Sequence, residues 1–197
     1  MKRLFALMVL SNSVWASPQS ELSDRLAVHS GFSATFSQHV YSPEGNIIMQ
    51  GEGKVNVLRP NQFRWEVTAP DENLLVSDGQ TVWYYTPFVE QVTLYNADAM
   101  TDQTPFVLLT RNKPQDWQSY LVTQDGDRFS LQSKRTDGPQ GTYTIIIDKT
   151  GKVSEFDVVE QDGQKSEFQF SNVNPNTPKA SLFTFSVPEG VDVDDQR

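Results

Sequence analysis

Arg59-Pro60-Asn61-Gln62-Phe63-Arg64-Trp65-Glu66-Val67 begins in turn chemistry and then sets Phe63, Trp65 and Val67 on alternate positions. That two-residue period is the mark of a half-buried β-strand. Working downstream, Asp78-Gly79 turns into Val82-Trp83-Tyr84-Tyr85, and Gln91 to Tyr95 follows as another short run. Upstream, Phe32, Ala34, Phe36 and Val40 alternate with polar neighbours, Pro43-Glu44-Gly45-Asn46 makes a turn, and Ile47 to Leu58 is a long extended run. Gly51 and Gly53 inside that run predict a bend or bulge that helps curve a sheet. Asp125-Gly126, Asp148-Lys149-Thr150-Gly151 and Asp162-Gly163 mark later hairpins. Turns recurring every 8–12 residues or so predict a mainly antiparallel meander, sandwich or barrel of about ten or eleven strands.

Two short helices interrupt the strands. Ser17-Pro18 is an N-cap followed by proline at the first helical position, Leu22 and Leu26 share a face, and Gly31 is placed to end the segment. Thr104-Pro105 repeats the same start, Phe106-Val107-Leu108-Leu109 reads as a short apolar helix, and Asn112 to Pro114 ends it. Periodicity leaves two readings open. The helices plug a barrel as ordinary core, or they cover the open side of a curved sheet and leave an apolar space beneath.

Composition narrows the function. The 197 residues carry 25 Asp and Glu against 16 Lys and Arg, a formal net charge of −9 that repels phosphate backbones and argues against a nucleic-acid partner. Cysteine is absent, which removes disulfides, thiolate metal sites and cysteine nucleophiles. His29 and His39 belong to no metal-spaced pair and no nucleophile motif, and read as surface or packing residues. Adjacent acids such as Asp71-Glu72 and Asp194-Asp195 read as solvated loop charge. No catalytic residue, metal or cofactor is expected. What stands out is the aromatic content, 4 Trp, 6 Tyr and 12 Phe, rings that must be buried or line something.

The N-terminus reads as an address. Lys2 and Arg3, the apolar run Leu4–Leu10 and the small-residue site at Val14-Trp15-Ala16 form a secretory signal peptide over residues 1–16, cleaved after Ala16. Residues 17–197 are then expected to form one exported domain, in a bacterial periplasm and without a stable membrane anchor.

Several elements recur in a specific order: Arg59-Pro60, Phe63-Arg64-Trp65, Pro70-Asp71-Glu72, Ser77-Asp78-Gly79, Pro87-Phe88-Val89-Glu90-Gln91, Asn112, Val159-Glu160-Gln161-Asp162, Phe183-Thr184-Phe185 and the ending Val191–Arg197. Together they closely resemble the outer-membrane lipoprotein carrier family, LolA, over essentially the whole mature chain. Arg64 within the aromatic strand and some exchanged pocket hydrophobics depart from the family. The resemblance implies an incomplete, strongly curved antiparallel β-barrel with a lid of short helices over a hydrophobic cavity for acyl chains. It implies a monomeric periplasmic chaperone that takes acylated lipoproteins from an inner-membrane ABC transporter and passes them to an outer-membrane receptor. On this likeness the cavity lining falls on Leu26, Phe63, Trp65, Val67, Phe106 and Leu109. A lid latch falls on Arg59, with backbone partners near Leu26, Leu109, Thr110 and Asn112. A lipoprotein-sensing regulatory domain of the same fold is the alternative; such regulators add a second domain, so the length favours the carrier.

Overall fold

A computed structural model describes residues 17–100, 106–134 and 141–197. The signal segment 1–16 and the Thr104-Pro105 helix start lie outside the described residues. Among them the chain forms twelve strands in one sheet, more than the turn count predicts, with four short α-helices where the sequence suggested two. The strands are β1 (Gly31–Tyr41), β2 (Ile47–Leu58), β3 (Gln62–Ala69), β4 (Asn73–Asp78), β5 (Thr81–Thr86) and β6 (Gln91–Asn96), followed by β7 (Tyr120–Asp125), β8 (Arg128–Ser133), β9 (Thr142–Ile147), β10 (Val153–Val159), β11 (Lys165–Asn174) and β12 (Asp192–Asp195). The helices are α1 (Pro18–Ala27), α2 (Ala97–Met100), α3 (Phe106–Arg111) and α4 (Pro114–Gln118).

The strand order is β12-β6-β5-β4-β3-β2-β1-β11-β10-β9-β8-β7, and the sheet does not close, leaving β12 and β7 as edges. Two antiparallel meanders, β1–β6 and β7–β11, meet at the β1–β11 seam, and only β12 runs parallel to its neighbour, β6. The predicted turns fall where the strands reverse. Gly79 and Gly163 sit at positive φ of 99° and 89°, a region that glycine enters freely.

Period-two alternation decides the faces. Phe32 and Phe36 on β1, Val55 and Val57 on β2, Phe63 on β3, Phe129 and Leu131 on β8, Ile145 on β9, Phe156 on β10 and Phe170 on β11 share one buried cluster with Leu22, Leu26 and Leu109 of the helices. Strands far apart in the sheet reach the same core only because the sheet curls around α1 and α3. The opposite face of the β3–β6 half is covered by the C-terminal arm. There Phe183 is fully buried and Phe185 lies 5.7 Å from the Tyr85 ring and 6.3 Å from that of Trp83.

Helix α1 starts as its sequence dictates, with Ser17 Oγ accepting from the Ser20 N–H and Pro18 at the first position. Asn112 to Pro114 does end α3, with Asn112 at φ 46°, but Pro114 also opens α4, the continuation the apolar pattern did not disclose.

Candidate functional site

The inner face is a ladder of rings. Phe36 stacks on Trp65 with centroids 4.2 Å apart, and Phe168 meets Trp65 edge-on at 5.2 Å. Phe106, carried by α3, closes on Trp65 at 4.5 Å and on Phe63 at 5.7 Å, both edge to face. Gly53 is what allows this stack. A Cβ there would lie 2.5 Å from Phe36 Cζ and 2.1 Å from the Glu66 carbonyl oxygen, so any side chain would displace the ring or the strand. The predicted bulge is present beside it, between Glu52 and Gly53 in the β2–β3 register.

Leu26, Phe63, Trp65, Val67, Phe106 and Leu109 all belong to or pack against this one cluster. Their burial is graded. Phe63 is 1% exposed, while Trp65 and Val67 further along β3 are only partly buried. The same gradient runs along β5, from Val82 at 1% to Tyr84 at 39%. At one end of the strands the inner face is therefore sealed, and at the other, on the β3–β5 side, it opens.

Three polar joints hold the helices. Arg25, 4% exposed, donates from Nε to Glu21 at 2.8 Å and from Nη1 to Asp127 at 2.6 Å and the Ile147 carbonyl at 2.7 Å, with its guanidinium 5.1 Å over the Phe129 ring. That fixes α1 to the β8–β9 end of the sheet. Asn112 makes the second joint: its Nδ2 donates to the Ser23 carbonyl of α1 at 3.0 Å, and its Oδ1 accepts from Trp117 Nε1 at 3.0 Å. Arg111 adds a third by pairing with Asp116 and with Asp98, tying α2, α3 and α4 together.

Arg59 is held differently. Its backbone N–H donates to the Ser30 carbonyl at 2.8 Å and its Nη1 to the His29 carbonyl at 3.0 Å, both in the link just past α1. Its buried Nε has no hydrogen-bond partner among the described residues. Burial pushes its pKa down to about 10. Arg59 therefore touches the α1 side of the expected partner set. Its hydrogen bond goes to His29, not to Leu26, and its described bonds do not reach Leu109, Thr110 or Asn112. Asn112, expected as a backbone partner of Arg59, takes instead a side-chain role that the sequence did not disclose. Arg25 was also missed; its pairing with Glu21 is legible as an i,i+4 spacing, but Asp127 lies far off in the chain. Phe168-Gln169-Phe170 carried an alternating signal that could have added Phe168 to the ring ladder.

The arrangement offers apolar area and aromatic faces, and no cluster of three or more His, Asp or Glu at metal-binding spacing occurs among the described residues. The apolar lining suits binding of a long apolar group.

The outer membrane lipoprotein carrier protein LolA family matches residues 28–186. The chain belongs to this family. An outer-membrane lipoprotein carrier protein of Aliivibrio fischeri is 55% identical over 196 residues, covering 100% of this chain and 99% of the relative. Among solved structures, an uncharacterized conserved protein of Thermus thermophilus superposes with a TM-score of 0.59 at 13% identity, covering 91% of this chain and 100% of that one. A LolA superfamily protein of Nitrosomonas europaea does so with a TM-score of 0.51 at 11% identity, over 87% and 99% of the two chains. At such identities these two establish the fold, and the unclosed sheet with its covering helices is the LolA-family architecture.

Proposed function

We propose that this protein is a periplasmic chaperone that carries acylated lipoproteins, receiving them from an inner-membrane ABC transporter and delivering them to an outer-membrane receptor. The observation that carries the reading is the inner aromatic face, sealed by apolar helices at one end and opening at the other, in a chain of the lipoprotein-carrier family. Each methylene taken out of water is worth about 0.8 kcal/mol, so a multiply acylated protein cannot cross an aqueous gap unaided. A carrier must supply a dry surface and still release its load. Leu26, Phe63, Trp65, Val67, Phe106 and Leu109 would line that surface, acyl chains entering as α3 lifts Phe106 from Trp65. Arg59 would oppose the lifting from the α1 side. Residues 1–16 would direct export and be removed. No catalytic step is assigned, and the lipoprotein-sensing alternative has no observation in its favour.

The test is titration of the mature protein with an environment-sensitive fluorescent fatty acid. Saturation at one-to-one with a blue-shifted signal, displaced by a diacylated lipopeptide, is the expected result. Lack of binding, or binding that a Trp65→Asp change leaves untouched in a folded protein, would overturn it.

A further inference from the structure

Strand β2 spans Ile47–Leu58, but β3 ends at Ala69, which lies opposite Glu52. The stretch 47–51 therefore pairs with β1 on one side and with no described strand on the other. An open edge presents unpaired N–H and C=O groups to any extended chain, and proteins ordinarily blunt such edges with charge, proline or cover. Ile47-Ile48-Met49-Gln50-Gly51 contains neither a charged residue nor a proline, and Ile47, Ile48 and Met49 are 51%, 57% and 43% exposed. Beside it lies a groove of about 340 Å³ whose walls include Gln38, His39, Gln50, Gly51, Ala69 and Pro70.

Position gives this edge its meaning. It continues the sheet past Val67, at the end where Trp65, Val67 and Tyr84 become exposed. An acyl chain lying on those residues would bring the peptide linked to it to this end of the sheet, beside 47–51. We propose that the free edge of β2 is a docking strand for the extended peptide that follows the cargo's acylated residue, added to the sheet through main-chain hydrogen bonds. The proposal rests on the acyl-carrier reading above. Main-chain pairing reads no side chains, so it suits a carrier whose cargoes share a lipid and differ in sequence. The exposed Ile and Met side chains give the added strand an apolar flank without specifying it.

The experiment is amide hydrogen exchange on the mature protein with three ligands. They are a diacylated lipopeptide with a tail of about eight residues, strand length, the same compound with an N-methylated tail, and a free fatty acid. The outward amides of 47–51 should exchange about tenfold more slowly with the first, whatever its tail sequence, and be unaffected by the other two. Ile48→Lys should erase the affinity gained from the tail and leave fatty-acid binding intact. Acyl binding with 47–51 unprotected would overturn the docking strand and leave the carrier reading standing. Protection by fatty acid alone would also overturn it, as would protection of the free protein that grows with concentration alongside a dimer mass, which places a second copy on the edge. Failure of every acyl compound to bind would remove both readings.

Discussion

Arg25 and Arg59 both fasten α1 and are built on opposite plans. Arg25 reaches two carboxylates, one carbonyl and an aromatic face, so its desolvation is met by charge. Arg59 is half-buried, its side chain bonded to the His29 carbonyl and set 6.0 Å over the Phe32 ring, with Nε idle and no carboxylate in its bonds. Its depressed pKa, near 10, reports burial that its surroundings do not compensate. The first is a weld; the second, on the proposed reading, would be a catch. A charge with surplus partners fixes a joint more firmly than one with few.

The comparison can be broken most directly at Arg25. Arg25→Ala should lower stability by about 3 kcal/mol, since Glu21 and Asp127 can return to water but the Ile147 carbonyl cannot. Urea unfolding should show a lower midpoint at unchanged slope, and a midpoint equal to the parent's would show that the weld carries nothing.

Arg59→Leu should do the reverse, moving stability by less than about 1 kcal/mol because the lost bond is offset by relief of the buried charge. It should raise affinity for an acyl probe about fivefold, since apparent affinity scales with the open fraction. Unchanged probe affinity, or a stability loss as large as that at Arg25, would erase the distinction.

Asp157 extends the comparison to a carboxylate with too few partners. It is buried with Oδ1 unpaired among the described residues and Oδ2 at 3.2 Å from Lys165 Nζ, and desolvation raises its pKa despite that lysine. A folded-state pKa above the unfolded one makes its contribution to stability largest below the unfolded value, and that contribution is lost as pH rises through the folded one. Asp157→Asn should remove this decline, and because the relief of the buried charge is offset by loss of the Lys165 pair, its effect at pH 7 should be the smallest of the three. Stability-versus-pH curves that decline alike above about pH 4 for parent and variant would place the slope elsewhere.

The β-rich core was legible because period-two alternation reports burial residue by residue; Phe63-Arg64-Trp65 and Phe32 to Val40 need no knowledge of their partners. Gly53 was legible as a bend but not as room for the Phe36 ring, because its neighbour is fixed by register across strands. Arg25 and Asn112 were opaque for the same reason: Asp127 and Ser23 are brought to them by the curl of the sheet and the return of the helices. The free edge of β2 was hidden inside a continuous run from Ile47 to Leu58, since a strand's own sequence does not say where its neighbour stops.

The seam between β1 and β11 has a consequence for how the molecule comes into being. It sets Phe36 opposite Phe170 and Gln38 opposite Phe168, so residues far apart in the chain must find each other before the inner face is complete. Loop closure over such a span is entropically slow, and contacts of this separation retard folding generally. The inner face, built from both meanders, is therefore complete only once that seam is paired, and a change that weakens the seam should slow folding more than one within a single hairpin.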